Sequence, residues 1–272
     1  MVLLLALLGC GLDFGNASVV TDVQIIATVI EPPEILLGES VGLTVTVADP
    51  QQRDLEVMAW LCLPVEGSCL ESLLPARSWA RVTDVLDEDA TFMFRGLSTI
   101  ELDTDEERIR TSVNTLVCER GACPIMDRVR TSGLEPDAEL GRLLADPEAI
   151  LRELPFDGTH FAVKTLPVLL QEPRDRNWNP RIVPKFTGFP TFEPSEAIDL
   201  EFKITDANGD PATGFAYTTV GEFDAPKVAV SQSELAMRWI SPDDRSIDGR
   251  IYIVVEDDRG GTALWRASAT LE

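Results

Sequence analysis

The chain has 272 residues, enough for one or two domains. Its apolar content of 44% and charged content of 25% are those of a globular protein, which excludes general disorder. A formal net charge of −23 repels phosphate backbones and excludes nucleic acid as a partner. The same charge disfavours lying flat on anionic head groups.

At the N-terminus, Val2 to Leu8 form an unbroken apolar run ahead of Gly9 and Cys10. Seven helical residues rise only ~10 Å, too short for a bilayer core of roughly 30 Å but suited to the apolar region of a signal peptide. Leu7-Leu8-Gly9-Cys10 resembles the bacterial lipobox, in which the cysteine is acylated and becomes the mature N-terminus. That resemblance implies a signal peptide over 1–9, a lipid on Cys10, a tether over 10–20 and an exported chain held to a membrane. No Lys or Arg precedes the run, so the natural start is expected upstream of Met1.

Strand signals follow. Val23–Val29 and Val41–Val47 are rich in β-branched residues, and the odd positions from Val41 to Val47 are all apolar, the period of a half-buried strand. Leu55–Leu63 is a third strand, carrying Trp60 and Cys62. Short strands at this spacing, with a Trp near a Cys in the third, match the opening of an immunoglobulin-like sandwich. Trp60 precedes both nearby cysteines, so the antibody disulfide arrangement is absent.

With Cys10 set aside, four cysteines remain, and an even number in an exported chain reads as disulfides. Each local pair brackets a turn, which favours Cys62–Cys69 and Cys118–Cys123. A zinc site built from the four is the rival, but neither spacing matches the short one of structural zinc.

Between Glu135 and Leu154 the apolar period turns helical, predicting helices over Asp137–Ala145 and Pro147–Glu153. Strands resume at Phe161–Thr165 and Val168–Gln171. The polar, Pro-containing stretch 173–180 reads as a linker between a first β domain over 21–172 and a second over 181–272. In the second, Ile198–Ile204 alternates cleanly, and strands are predicted around Phe215–Val220, Val228–Val230, Ala236–Ile240, Ile251–Glu256 and Thr262–Leu271. The expected fold is mainly β: two immunoglobulin-like sandwiches with a short helical insertion near 137–153.

The last third carries Asn179-Pro180, Gly221-Glu222-Phe223, Trp239-Ile240-Ser241-Pro242, Gly249, Tyr252-Ile253-Val254-Val255, Asp257-Asp258-Arg259-Gly260-Gly261 and Trp265, in that order. This succession resembles a pattern in uncharacterised predicted lipoproteins of myxobacteria and related lineages. The resemblance implies tandem β-sandwich domains on a lipid anchor, and no activity. Read as scaffold, Trp239 and Trp265 supply core area, Gly260-Gly261 permits a two-residue hairpin, and Arg259 ties its turn to its own sheet through Asp257 and Asp258.

Candidate chemistry is sparse. The single histidine, His160, stands without a Gly-x-Ser-x-Gly elbow, which disfavours a Ser-His-Asp hydrolase. Asp206, Asn208 and Asp210 resemble the first half of a calcium loop, but Pro211 replaces the required glycine and Tyr217 the bidentate Glu. They remain weak calcium candidates, and no other cofactor is implied. The expected function is a non-enzymatic envelope lipoprotein, on the outer membrane or cell surface, that contacts an envelope protein or polysaccharide. The alternative is a carbohydrate-binding module, which solvent-facing Trp79, Trp178 or Trp265 in a groove would favour. A hydrolase using carboxylates alone is the third reading.

Overall fold

The computed structural model describes residues 18–62, 64–65, 68–69, 80–94, 108–131, 160–171, 173, 175–189, 192–243 and 248–269. The predicted signal peptide, Cys10, Trp79 and the helices at 137–145 and 147–153 lie outside the described residues. Within them the chain is mainly β, arranged as two immunoglobulin-like sandwiches in tandem.

The first domain contains β1 (Gln24–Glu31), β2 (Ile35–Leu36), β3 (Val41–Ala48), β4 (Leu55–Cys62), β5 (Pro64–Val65), β6 (Ser68–Cys69), β7 (Ala80–Asp84), β8 (Asp89–Phe94), β9 (Arg108–Glu119), α1 (Pro124–Thr131) and β10 (His160–Leu169). One sheet has the order β1-β3-β8 and the facing sheet β2-β10-β9-β4-β7. In immunoglobulin lettering these are A-B-E and a G-F-C-C′ sheet, with β2 added in parallel beside β10. The inner faces alternate along each strand: Leu43, Val45 and Val47 from β3 meet Val57, Ala59 and Leu61 from β4 and Val113 and Val117 from β9.

β4 is buried on both faces. Its other face carries Met58 and Trp60, which pack with Leu116, Cys118, Ile125 and Met126 under α1. Trp60 therefore stands on the opposite face from the sandwich core, one register step from where an antibody tryptophan lies. The bond between Cys118 and Cys123 closes the turn that leads from β9 into α1 and holds the helix over this face. Helix α1 escapes the sequence pattern because it is only eight residues long; its local signals are Pro124 at the first position, Asp127 in the first turn and Arg128 and Arg130 in the last. In β5–β6, Pro64 pairs with Cys69, while the side chains of Cys62 and Cys69 lie outside the described residues.

β10 is one continuous strand where two are predicted. Pro167 lies inside it, at a point where β2 has not yet joined the free edge.

The second domain contains β11 (Arg181–Pro184), β12 (Ala197–Thr205), β13 (Ala212–Thr218), β14 (Glu222–Phe223), β15 (Lys227–Ala229), β16 (Glu234–Ile240), β17 (Gly249–Asp257) and β18 (Thr262–Ala269). Its sheets run β11-β12-β16-β14 and β15-β13-β17-β18. Leu200, Phe202 and Ile204 of β12 face inward, as their alternation requires, while Asp199, Glu201 and Lys203 face water. Trp239 is fully buried and its indole N–H donates to the carbonyl of Val220 at 3.1 Å. Trp265 packs edge-on to Phe186 and Phe202, so it belongs to the core and presents no binding platform.

Candidate functional site

The feature that organises the molecule is the junction between the domains. Along β17 the odd positions Ile251, Ile253 and Val255 enter the domain's own core. Tyr252 and Val254 point the other way and join Phe215, Tyr217 and Leu264 on the sheet's outer face. That face packs against Val20, Ile26, Ala27, Val29 and Ala48 of the first domain. A β-bulge at Ile26 in β1 puts both Ile26 and Ala27 on the docking side. The two sandwiches thus stack face to face through the β1-β3 sheet and the β13-β17-β18 sheet. A half-buried strand would show Tyr-x-Val as polar at one parity; β17 is apolar at both because both its faces are covered.

Polar pairs ring this apolar patch. At one end Arg250 donates to Glu88 at 2.8 Å and Arg266 to Asp89 at 3.0 Å. Burial pushes the Tyr252 hydroxyl well above the ordinary tyrosine range, and Glu88, its hydrogen-bond partner, adds to the shift. On the flank Lys164 reaches Glu256 at 3.1 Å and also the Thr262 hydroxyl.

At the other end lies a denser network. Glu34 is 1% exposed and accepts from the Arg259 guanidinium at 3.0 Å and from the backbone N–H of Asn177 at 2.8 Å. Asp257 is also buried and accepts from the backbone N–H groups of Arg259 (2.9 Å) and Gly261 (2.8 Å). Burial still raises its pKa above the ordinary carboxylate value, since those bonds and Asn177 only partly offset it. The Arg259 side chain thus reaches past its sequence neighbours Asp257 and Asp258 and crosses to Glu34 of the first domain, with Asp210 of its own domain 3.6 Å away.

The linker is part of this network. The Asn179 side chain donates to the Ile30 carbonyl and accepts from Thr262 N–H, both at 2.8 Å. Arg176 donates to the Glu34 carbonyl at 2.8 Å and bonds Glu39.

The predicted calcium candidates border the network without meeting at one point. Asp206 accepts from the N–H groups of Asn208 (2.6 Å) and Gly209 (3.0 Å), closing its own turn. Asn208 gives its oxygen to Trp178 N–H at 3.3 Å and its amide N–H to the Arg176 carbonyl at 3.0 Å. Asp210 lies 3.6 Å from Arg259. Its carboxyl is held above the ordinary range by burial, with Arg259 opposing and Asp206, Asp258 and Asp257 adding. Arg259 thus supplies the nearby positive charge. Among the described residues no group of three or more His, Cys, Asp or Glu side chains is arranged to hold a metal.

Trp178 is 48% exposed, the only exposed aromatic among the described residues, with the Arg176 guanidinium 5.7 Å from its ring centroid. His160 begins β10; burial depresses its pKa, and Asp22 opposes the shift. A polar cleft of about 380 Å³ opens between the domains at the Arg250 end, lined by Pro50 and Gln52 of one and Thr219, Val220, Gly249, Arg250 and Ser268 of the other.

No protein-family model matches the chain. No curated protein matches it either. Solved structures do match at low identity. A titin I67–I69 three-domain variant is 9% identical, with 88% of this chain and 62% of that one covered and a TM-score of 0.27. The D0–D1 domains of intimin are 8% identical, with 90% and 98% covered and a TM-score of 0.27. Latent PorU from Porphyromonas gingivalis is 13% identical, with 92% and 24% covered and a TM-score of 0.28. The chain thus spans about 62% of the titin fragment's length.

Proposed function

We propose that this protein is an exported lipoprotein, held to the outer membrane or cell surface by acylation of Cys10, whose docked sandwiches serve as a non-enzymatic contact module. The observation that carries this reading is the face-to-face junction. Two domains locked by an apolar patch and a ring of ion pairs make one stiff body, fit for presenting a surface to an envelope protein or polysaccharide. The sequence adds the lipobox-like Leu7-Leu8-Gly9-Cys10 and an acidic composition that keeps a tethered body in solution.

The test is metabolic labelling with palmitate in an expressing bacterium, with and without globomycin. Label on the mature chain, precursor accumulation under globomycin and loss of label in Cys10→Ala are expected. Equal labelling of Cys10→Ala would remove the anchor.

One observation favours a second reading, a carbohydrate-binding module: the exposed ring of Trp178, with the Arg176 guanidinium 5.7 Å from its centroid. Sugar rings stack on such a surface through their C–H faces. Retention on envelope polysaccharide that disappears in Trp178→Ala would move the assignment to this class.

A further inference from the structure

The residues just ahead of β1 do not belong to the first domain alone. Ser18 accepts at its carbonyl from Thr218 N–H, and its hydroxyl oxygen accepts from Phe223 N–H at 3.0 Å. Val20 N–H donates to the Thr218 carbonyl at 2.7 Å, and Val19 bridges Thr218 in parallel. The chain is therefore stapled to the second domain before it enters the first.

This staple defines one end of the body. Thr218 pairs with Ile251 near the start of β17, and Gly249 pairs with Ala269 at the close of β18. The turn holding Pro50 and Gln52 meets the same end across the cleft. At the opposite end lie the close of β17 at Asp257, its network with Asn177 and Glu34, and the exposed Trp178. β1 and β17 both run from the first end to the second: Val20 meets Thr218, while Ile30 meets Asn179. Nine residues of β17 put the two ends ~30 Å apart at roughly 3.3 Å per residue.

We infer that the protein is held by one end and presents the other: a lipid on Cys10 sets the Ser18 end toward the bilayer and turns the Trp178 end outward. This rests on the lipid-anchor reading above. Seven residues lie between Cys10 and Ser18, and the eight steps from one to the other reach at most ~28 Å when fully extended. The stapled end cannot leave the membrane by more than that distance, whereas the Trp178 end can stand off by the tether and the body together. Repulsion between a chain of net charge −23 and anionic head groups favours the upright arrangement over one laid flat. The outward end then carries the linker and Trp178, the one exposed aromatic among the described residues.

The experiment uses the full acylated chain in vesicles of phosphatidylethanolamine and phosphatidylglycerol that carry an acceptor dye on their head groups. A donor dye is placed through Gln51→Cys or Ala207→Cys, both exposed turn positions at opposite ends. The unsubstituted chain is labelled in parallel as the blank, and an unchanged unfolding temperature verifies each variant's fold. Energy transfer from position 51 is expected to exceed that from position 207 at least threefold. Equal or reversed transfer, with the protein still floating with the vesicles, overturns the orientation and leaves the anchor standing. Failure of the protein to float with the vesicles removes the anchor, and the orientation falls with it.

Discussion

The Arg259 guanidinium lies 3.0 Å from the carboxylate of Glu34, a residue 225 positions earlier in the chain and in the other domain. Glu34 is buried, so its charge depends on this partner, on the N–H of Asn177 and on Arg108 at 3.4 Å. Removing one partner of a buried pair typically costs about 3–5 kcal/mol. The two remaining partners place Arg259→Ala near the lower bound, about 3 kcal/mol. Urea unfolding of Arg259→Ala, Glu34→Gln and the double variant should show coupling between the sites; additive effects would mean that the pair contributes nothing of its own.

The apolar patch between the sandwiches should make the two domains unfold together. Tyr252 is 1% exposed at its centre, and truncating a large buried aromatic costs about 3–5 kcal/mol. Because its ring faces the first domain, the loss falls on the junction more than on either core. Calorimetry is expected to give one transition for the parent chain and two for Tyr252→Ala. A single transition in the variant, shifted uniformly downward, would show that the domains are coupled through the polar ring instead.

Strand alternation reveals most of the architecture, since a period of two marks β3 and β12 without ambiguity. It misleads where a strand is covered twice. In β4 the apolar run from Leu55 to Cys62 reveals burial, but nothing local tells that Trp60 faces α1 and Val57 the sandwich core. In β17 the succession Tyr252 to Val255 is legible as a strand, and its second face becomes intelligible only when another domain covers it. Arg259 shows the same limit in charge: Asp257 and Asp258 are its neighbours in sequence, yet its partner comes from far along the chain. Asp206, Asn208 and Asp210 share one turn, as the loop pattern suggests, without converging on a point: Asp206 Oδ1 closes the turn, Asn208 bonds the linker and Asp210 lies by Arg259, while Asp206 Oδ2 and Asp210 Oδ2 accept no hydrogen bond.

The disulfide between Cys118 and Cys123 closes a short loop, worth about 2 kcal/mol in the chain-entropy account. Its position at the root of α1 gives it a local readout. Replacing both cysteines by serine should loosen the helix from Met58, Trp60 and Leu116, and admit water to the indole of Trp60. A red shift in tryptophan emission before global unfolding, absent from the parent, is the expected signal. Unchanged emission through the whole pre-transition range would mean that packing alone holds α1.

Acid should weaken the protein in two steps. Burial alone would raise the pKa of Asp49, but the Arg53 side chain and the N–H groups of Arg53 and Gln51 outweigh it, and the carboxyl is held below its ordinary value. A lowered carboxylate contributes stability that is full above the unfolded value, about 3.9, and is lost as pH falls through the lower folded value. His160 acts at higher pH: burial depresses its pKa, so below about 6.5 the unfolded chain takes up the proton first and stability declines. Urea midpoints across pH 3 to 7 (about half-unit steps) should show a shallow fall near 6 and a steeper one below 4. His160→Gln should remove only the first, and Arg53→Ala should flatten the second; a profile unchanged in both variants would put the titrating groups elsewhere.

Adjacent glycines in the β17–β18 turn should respond differently to the same substitution. Gly260 has a φ of +91°, and a Cβ there would meet nothing closer than the Thr165 carbonyl at 3.9 Å. Gly260→Ala therefore pays only for a left-handed backbone, roughly 1–2 kcal/mol. At Gly261 a Cβ would lie 2.2 Å from Asp257 Oδ2 and 3.1 Å from the Trp178 carbonyl. The Asp257 carboxylate cannot swing aside without releasing the N–H groups of Arg259 and Gly261, and the Trp178 carbonyl belongs to a linker pinned at Asn177 and Asn179. Gly261→Ala should thus cost more than Gly260→Ala, about 3 kcal/mol or above, from overpacking together with buried hydrogen bonds left unmade. It should also loosen the junction, seen as faster amide exchange at Asn177 and Thr262; equal losses in the two variants would mean that the turn relaxes freely and does not brace the linker.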